Sequence, residues 1–215
     1  MKGLKTISVV DALAASLRAR VLDGHLSTGV GITETDVAIE YEVSRPTAKT
    51  AISLLVAEGL LRREAHRSAH VPVLSRSDVQ DLFLVRIPLE VEVVRRVVGQ
   101  HGALRAAAEA VQDLASLAVG APHSEFVEAD LRFHRALVGA VESPRLTRLY
   151  LAISGEIHLS MVQSHWALGR DRIVGEHTGI LSALEAGEQT AAETLMRAHL
   201  EGARDALSNQ LDPTG

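Results

Sequence analysis

Hydrophobic positions along the 215-residue chain recur with a helical period almost throughout. Between Ser8 and Leu22, the residues Val9, Leu13, Leu17, Val21 and Leu22 fall on one face, and Asp23-Gly24 closes the run. Beyond a glycine-containing loop, Thr33 is placed to cap a short helix through Tyr41. Ser44 is placed to cap another from Arg45 to Glu58, which Gly59 ends. Only Glu42-Val43-Ser44 lie between the two. The second of these helices turns Ala48, Ala51, Ile52 and Leu55 inward and Arg45 and Lys49 outward, the outline of a helix-turn-helix. Leu60 to Arg63 and His70 to Val73 then read as two strands around a polar loop. Three helices and a hairpin predict a winged helix-turn-helix over residues 1–75.

After Ser75 the pattern predicts six amphipathic helices and no convincing strand, at about residues 78–100, 103–119, 124–142, 145–165, 170–186 and 189–210. The breaks between them are Gly99 to Gly102, Gly120-Ala121-Pro122, Ser143-Pro144, Gly169 and Gly187. No fixed-period repeat is present, so residues 76–215 are expected to form an all-α helical bundle rather than a solenoid. The expected fold is therefore mainly α. No pattern reaches the roughly 18 unbroken apolar residues of a membrane span, so no membrane partner is expected. The start, Met1 to Thr6, has no apolar run leading to a small-residue cleavage site, and the expectation is a cytoplasmic protein.

Composition narrows the chemistry. With 47% hydrophobic and 23% charged residues the chain is not of the disordered class, and with 3% aromatic residues its core must be built from Leu, Val, Ala and Ile. The absence of cysteine excludes disulfides, thiolate nucleophiles, iron–sulfur clusters and Cys-type zinc fingers, so any metal must sit on His, Asp or Glu. The net charge of −5 looks wrong for a nucleic-acid binder until the chain is divided at Ser75. The first part has nine basic and eight acidic residues, a net +1; the second has thirteen and nineteen, a net −6. A duplex responds to the local field of the face it meets, so the total charge decides little.

The motifs carry a family likeness. Asp23-Gly24-His25-Leu26, Val43-Ser44-Arg45-Pro46-Thr47 and Leu54-Leu55-Val56-Ala57-Glu58-Gly59-Leu60-Leu61 resemble the DNA-binding half of GntR-family regulators. Arg86-Ile87-Pro88-Leu89-Glu90 resembles the Arg-x-x-Leu-Glu of the FCD domain in that family's FadR subgroup. Asp130-x-x-x-His134, Glu176-His177 and His199 fall where that domain carries metal ligands. Six helices also look like the VanR-type branch. In two places the chain departs from the pattern: Lys49-Thr50 replaces the usual Arg-Glu of the recognition helix, and His66-Arg67-Ser68-Ala69-His70 replaces a glycine-rich wing tip. Lysine loses the bidentate fork that lets arginine read guanine, and the missing glycine removes easy access to positive φ.

The resemblance implies a homodimeric transcription regulator, expected to be a repressor, on a near-palindromic double-stranded operator. Arg45, Thr47 and Lys49 lie near the N-terminal end of the recognition helix, the end that meets base edges in the major groove, with Arg45 implied as the base reader. Arg62, Arg63 and Arg67 on the hairpin are expected to neutralise phosphates, with His66 at its tip. Asp130 and His134 share one helical face beside Phe126, Leu137 and Val141, which places them inward. They either hydrogen-bond each other or join His177 and His199, also in apolar surroundings, as ligands of a divalent ion, Zn²⁺ or Ni²⁺. Arg86 either clamps the carboxylate of a small organic-acid effector or forms a salt bridge with Glu90, and His158 is a candidate for lining the same cavity. Two other readings of the cluster are a metal-dependent enzyme and a regulator that senses the metal itself. No His-Glu-x-x-His, nucleophile-elbow or phosphate-cradling pattern supports an enzyme, which would also leave residues 1–75 unexplained.

Overall fold

The computed structural model describes residues 8–65, 67–118, 120–164 and 169–211. The fold is mostly α-helical and divides into two compact units, one ending at Val73 and the other beginning at Leu74, with residues 154–156 grouped with the first.

The first unit is a winged helix-turn-helix. Helix α1 (Val9–Leu22), α2 (Glu34–Glu40) and α3 (Arg45–Ala57) are capped by Ser8, Thr33 and Ser44, each side chain accepting the amide three residues on. The turn between α2 and α3 contains Glu42 at φ 52°, which lets the chain reverse within four residues. Helices α1 and α2 both pack on α3, whose Ala48, Ala51, Ile52 and Leu55 are buried as predicted.

The wing differs from expectation. Its strands are β1 (Gly31–Ile32), inside the expected glycine-containing loop, and β2 (Ala69–His70), paired antiparallel as Gly31 with His70 and Ile32 with Ala69. The expected strand at Leu60 to Arg63 is reduced to a single bridge between Arg62 and His70. Leu60 and Leu61 are instead buried, tied by their amides to the carbonyl of Leu55 at the end of α3. An apolar pair just after a helix can anchor its exit as readily as it can start a strand, and here the anchor wins.

The second unit is an all-α bundle: α4 (Arg76–Val97), α5 (Arg105–Ser116), α6 (His123–Ala140), α7 (Pro144–Gln163), α8 (Arg170–Glu185) and α9 (Gln189–Gln210). Ser75 and Asp78 form a capping box that starts α4 two residues earlier than its apolar pattern suggests. The 3₁₀ turn at His101–Leu104 takes the place of the predicted first turn of α5, and that helix ends at Ser116 rather than Val119. Helix α4 lies along α9, α8 packs on α9, and α5 packs on α6. Leu, Val, Ala and Ile supply most of the core, as the composition requires, with Phe83, Phe133 and Tyr150 the largest fully buried side chains among the described residues.

Candidate metal centre and nucleic-acid interface

The bundle encloses a cluster of four ionisable groups that the sequence places on three helices. On α6, Asp130 and His134 are one turn apart and face inward beside Leu137 and Val138. His177 follows the buried stripe Ile173, Ile180 and Leu184 of α8, and His199 the stripe Met196, Leu200, Ala203 and Leu207 of α9. All four are at most 3% exposed, and one ligand atom from each lies within 4.8 Å of every other. His199 Nε2 is 3.3 Å from His134 Nε2 and 3.4 Å from His177 Nε2, and Asp130 Oδ1 is 3.4 Å from His177 Nε2.

The tautomers explain why this arrangement calls for a cation. His134 Nδ1 meets Glu90 Oε2 at 2.5 Å, and His199 Nδ1 meets Glu176 Oε2 at 2.7 Å. Each imidazole donates its Nδ1–H to a carboxylate and therefore turns the Nε2 lone pair inward. The His134 and His199 lone pairs, 3.3 Å apart, repel unless something positive stands between them. Burial, the first cause, and the neighbouring imidazoles hold His177 well below the ordinary imidazole range, and burial lowers His199 too, so protons are poor candidates for that charge. An ion with bonds of about 2.0–2.1 Å in tetrahedral geometry needs ligand atoms about 3.3–3.4 Å apart. Three of the measured separations match. The donor set of three imidazoles and one carboxylate, with carboxylates behind two imidazoles, fits a borderline divalent ion. Among the described residues Asp130 Oδ1 and His177 Nδ1 have no hydrogen-bond partner, and Phe133 stacks on the His177 ring at 4.2 Å.

Arg86, on α4, makes the salt bridge with Glu90, Nε to Oε1 at 2.6 Å. The pair is buried, and the guanidinium also lies 5.2 Å from the Phe83 ring centre. Arg86 Nη2 has no partner among the described residues, so the bridge does not exhaust the donor capacity of the side chain. Glu90 is thus bound by Arg86 on one oxygen and His134 on the other. Burial opposes its charge, but His134 and Arg86 outweigh it and bring its pKa down to about 2. His158 is buried, but the charges acting on it are Arg135 and His123, and burial first of all lowers it to about 4. Sequence reasoning treated Glu90 only as a possible partner of Arg86 and assigned Tyr150 nothing. The spacing of Arg86 and Glu90 was a signal for their pairing. A link between α4 and a histidine on α6 leaves no trace in local spacing.

In the first unit Arg45 and Lys49 are exposed on the outer face of α3, while Thr47 is half-buried with its hydroxyl 2.8 Å from Ser44 Oγ. On the wing, Arg63 meets Glu34 at 3.2 Å and Arg67 meets Glu64 at 3.1 Å, so two of the expected phosphate contacts already carry acidic partners. Arg62 is half-buried at the bridge to His70. His66 lies outside the described residues.

A helix-turn-helix that exposes Arg45 and Lys49, in one chain with a bundle that holds a buried His/Asp cluster, is the build of a transcription regulator that couples DNA to a small molecule. Residues 81–202 match the FCD domain model and residues 10–71 the model of bacterial regulatory proteins of the gntR family. The FCD match spans more than half of the chain, and the chain belongs to the FCD-domain regulators of the GntR type, a family of DNA-binding proteins and not of enzymes. It is similar to the HTH-type transcriptional regulator BphR of Paraburkholderia xenovorans, 29% identical over 211 residues that cover 90% of this chain and 83% of the relative. The galactonate operon transcriptional repressor of Escherichia coli is 22% identical over 211 residues, 87% and 92% of the two chains. Among solved structures, a GntR transcriptional regulator from Rhodococcus sp. RHA1 superposes with a TM-score of 0.79 at 25% identity, covering 93% of this chain and 97% of that one. The Zn²⁺-bound FCD domain of TM0439 shares the bundle fold, with a TM-score of 0.54 at 18% identity over 64% of this chain and 96% of that one. Among the described residues no helix is long and apolar enough to cross a membrane.

Proposed function

We propose that this chain is a cytoplasmic, homodimeric repressor of the FadR subgroup and VanR-like type, whose residues 76–215 bind a divalent ion and a small carboxylate effector and so control the grip of residues 1–75 on a near-palindromic operator. The observation that carries the reading is the set of inward-facing Nε2 lone pairs, fixed by the Nδ1 bonds of His134 and His199. Asp130, His134, His177 and His199 would hold the ion, Zn²⁺ or Ni²⁺, which supplies positive charge and open coordination positions to an effector oxygen. Arg86, through its Nη2, which has no partner among the described residues, and His158 would contact the effector. On the DNA side Arg45 reads a base edge, Thr47 and Lys49 flank it, and Arg62, Arg63, Arg67 and His66 face phosphates. Exposed apolar side chains on α4 (Leu84, Val85) and α7 (Leu149, Leu151) favour a partner subunit. The galactonate repressor among the relatives favours an organic acid as effector.

The test is metal content by elemental analysis of untagged protein, for the wild type and the His134→Ala and His177→Ala variants, followed by gel-shift titration on the operator. One ion per chain, lost in both variants, together with an organic acid that weakens operator binding, is the expected outcome. A wild type that takes up no zinc, nickel or manganese would sink the metal reading, and an effector that tightens operator binding would sink repression by release. Operator affinity that follows free metal at a fixed concentration of acid would make the ion itself the signal.

A further inference from the structure

Helix α3 has a face that the DNA contacts assigned above leave unused. Its core side is made of Ala48, Ala51, Ile52 and Leu55, all 0% exposed. Pro46, Thr50, Ser53 and Ala57 recur at helical spacing, form one stripe on the opposite side, and are all exposed. Arg45 and Lys49 flank that stripe, and Thr47 is half-buried with its hydroxyl on Ser44 Oγ. The part of the recognition helix that points straight away from the core is therefore small and uncharged. Such a face lets a helix approach the base edges of a major groove closely.

Thr50 gives the stripe its chemistry. Its Oγ1 donates to the Pro46 carbonyl oxygen at 2.9 Å. The bond itself is ordinary in a helix, and Thr178 and Thr194 make it at 2.7 Å on α8 and α9. On α3 it has a consequence. With the hydroxyl turned back along the helix and its proton spent, the methyl is the group on Cβ left to face outward. The Pro46 ring, one turn earlier on the same face, adds methylene groups and has no amide hydrogen. In the major groove the C5-methyl of thymine is the base group that such apolar side chains read.

We propose that the Thr50 methyl, beside the Pro46 ring, packs against the C5-methyl of a thymine, which makes Thr50 a specificity-determining residue of this regulator. The proposal rests on the reading above that α3 enters the major groove. To the charged contacts of Arg45 and Lys49 it adds one that charge cannot make, and it fixes one base of the operator as thymine.

The experiment selects duplexes from a random-sequence library with the full-length wild type, Thr50→Ser and Thr50→Val. Each thymine of the enriched sequence is then replaced, one at a time, by deoxyuridine, which lacks only the methyl. Thr50→Ser removes the side-chain methyl and keeps the hydroxyl; Thr50→Val does the reverse. Burial of one methyl corresponds to about fourfold in affinity. At one thymine position deoxyuridine should weaken the wild type and Thr50→Val by about that factor. Thr50→Ser should bind the thymine duplex about fourfold more weakly than the wild type does and should not distinguish it from the deoxyuridine duplex. The position is exposed, so all three proteins should melt at nearly the same temperature. The contact is overturned if the wild type enriches no thymine, if deoxyuridine leaves its affinity unchanged at every position, or if Thr50→Ser distinguishes the two duplexes as the wild type does. A Thr50→Val variant that loses the thymine preference would overturn it as well, by making the hydroxyl the reader. Failure of the groove reading is visible separately: Arg45→Ala and Lys49→Ala would then both enrich the wild-type sequence with unchanged affinity, which removes α3 from the groove and the thymine contact with it.

Discussion

Two arginine–glutamate pairs, both closed at 2.6 Å, stand in the two units of this protein and have little else in common. Arg18 and Glu58 join α1 to α3 in the DNA-binding unit, with side chains 36% and 30% exposed. Arg86 and Glu90 lie one turn apart on α4 of the bundle, with side chains 3% and 2% exposed. Water solvates the first pair in the folded and unfolded chain alike, so its formation changes little. The second pair has left water altogether and is tolerable only while each charge retains its partners. Equal distances therefore mean unequal consequences: the recognition unit uses charge at its surface, where charge can meet DNA, and the bundle uses it as a fixed interior field.

The largest effect should come from breaking the buried pair on one side. Glu90→Ala leaves Arg86 uncompensated and His134 without its Nδ1 acceptor, and should cost about 3–5 kcal/mol in urea unfolding. Arg86→Met combined with Glu90→Leu removes both charges and should recover most of that loss. Both proteins should still bind metal about 10–100-fold more weakly, because neither retains the carboxylate that orients His134. If Glu90→Ala unfolds like the wild type, the contrast between the two pairs fails.

Substitution of the exposed face should give the converse result. Arg45→Ala should lose about 1–3 kcal/mol of operator affinity, and Lys49→Ala should weaken binding to all sequences and lower the salt slope by about one. Both residues are exposed, so stability should stay within about 0.5 kcal/mol and metal content should not change. A loss of metal in either variant would show that the two units do not divide the work in this way.

What the sequence revealed follows the same division between local and distant causes. Helices were legible because caps, glycine breaks and a 3.6-residue period are local signals; α6 to α9 begin and end within about two residues of their pattern. The short β1 was not, because its pairing with β2 joins segments nearly forty residues apart through four residues in all. At the cluster, the four candidate ligands could be picked out as polar residues on apolar faces. Their supports could not. Glu90 reaches His134 across two helices, and Glu176 reaches His199 in the same way.

His158 sharpens the contrast by supplying a buried ionisable group whose Nε2 has no partner among the described residues. Its pKa is lowered from 6.5 to about 4, by burial first and then by Arg135 and His123. The folded state then resists a proton that the unfolded state accepts. Stability is full above pH 6.5 and is lost as the pH falls toward 4, amounting to about 2 kcal/mol between pH 7 and pH 5. In His158→Leu that part of the acid sensitivity should vanish, while the share due to His177 and His199 persists in both proteins. Identical pH dependence of unfolding in the two would show that His158 titrates normally in the fold.

The smallest effect belongs to the pair at the surface, and a double-mutant cycle on Arg18→Ala and Glu58→Ala measures it. The geometry is as good as such a pair offers: Arg18 Nε and Nη2 reach the two Glu58 oxygens at 2.9 and 2.6 Å, a parallel fork that joins two helices. Solvent still screens it, and two long side chains must be held still to make it. The coupling should therefore be about 0.2–1 kcal/mol, near the upper end because both contacts form, and it should fall as salt is raised. The same cycle on Arg86→Met and Glu90→Leu should be several-fold larger and nearly insensitive to salt, since ions do not enter a site 2–3% exposed. Couplings of equal size would mean that the 2.6 Å separation, and not the surroundings, sets what an ion pair contributes.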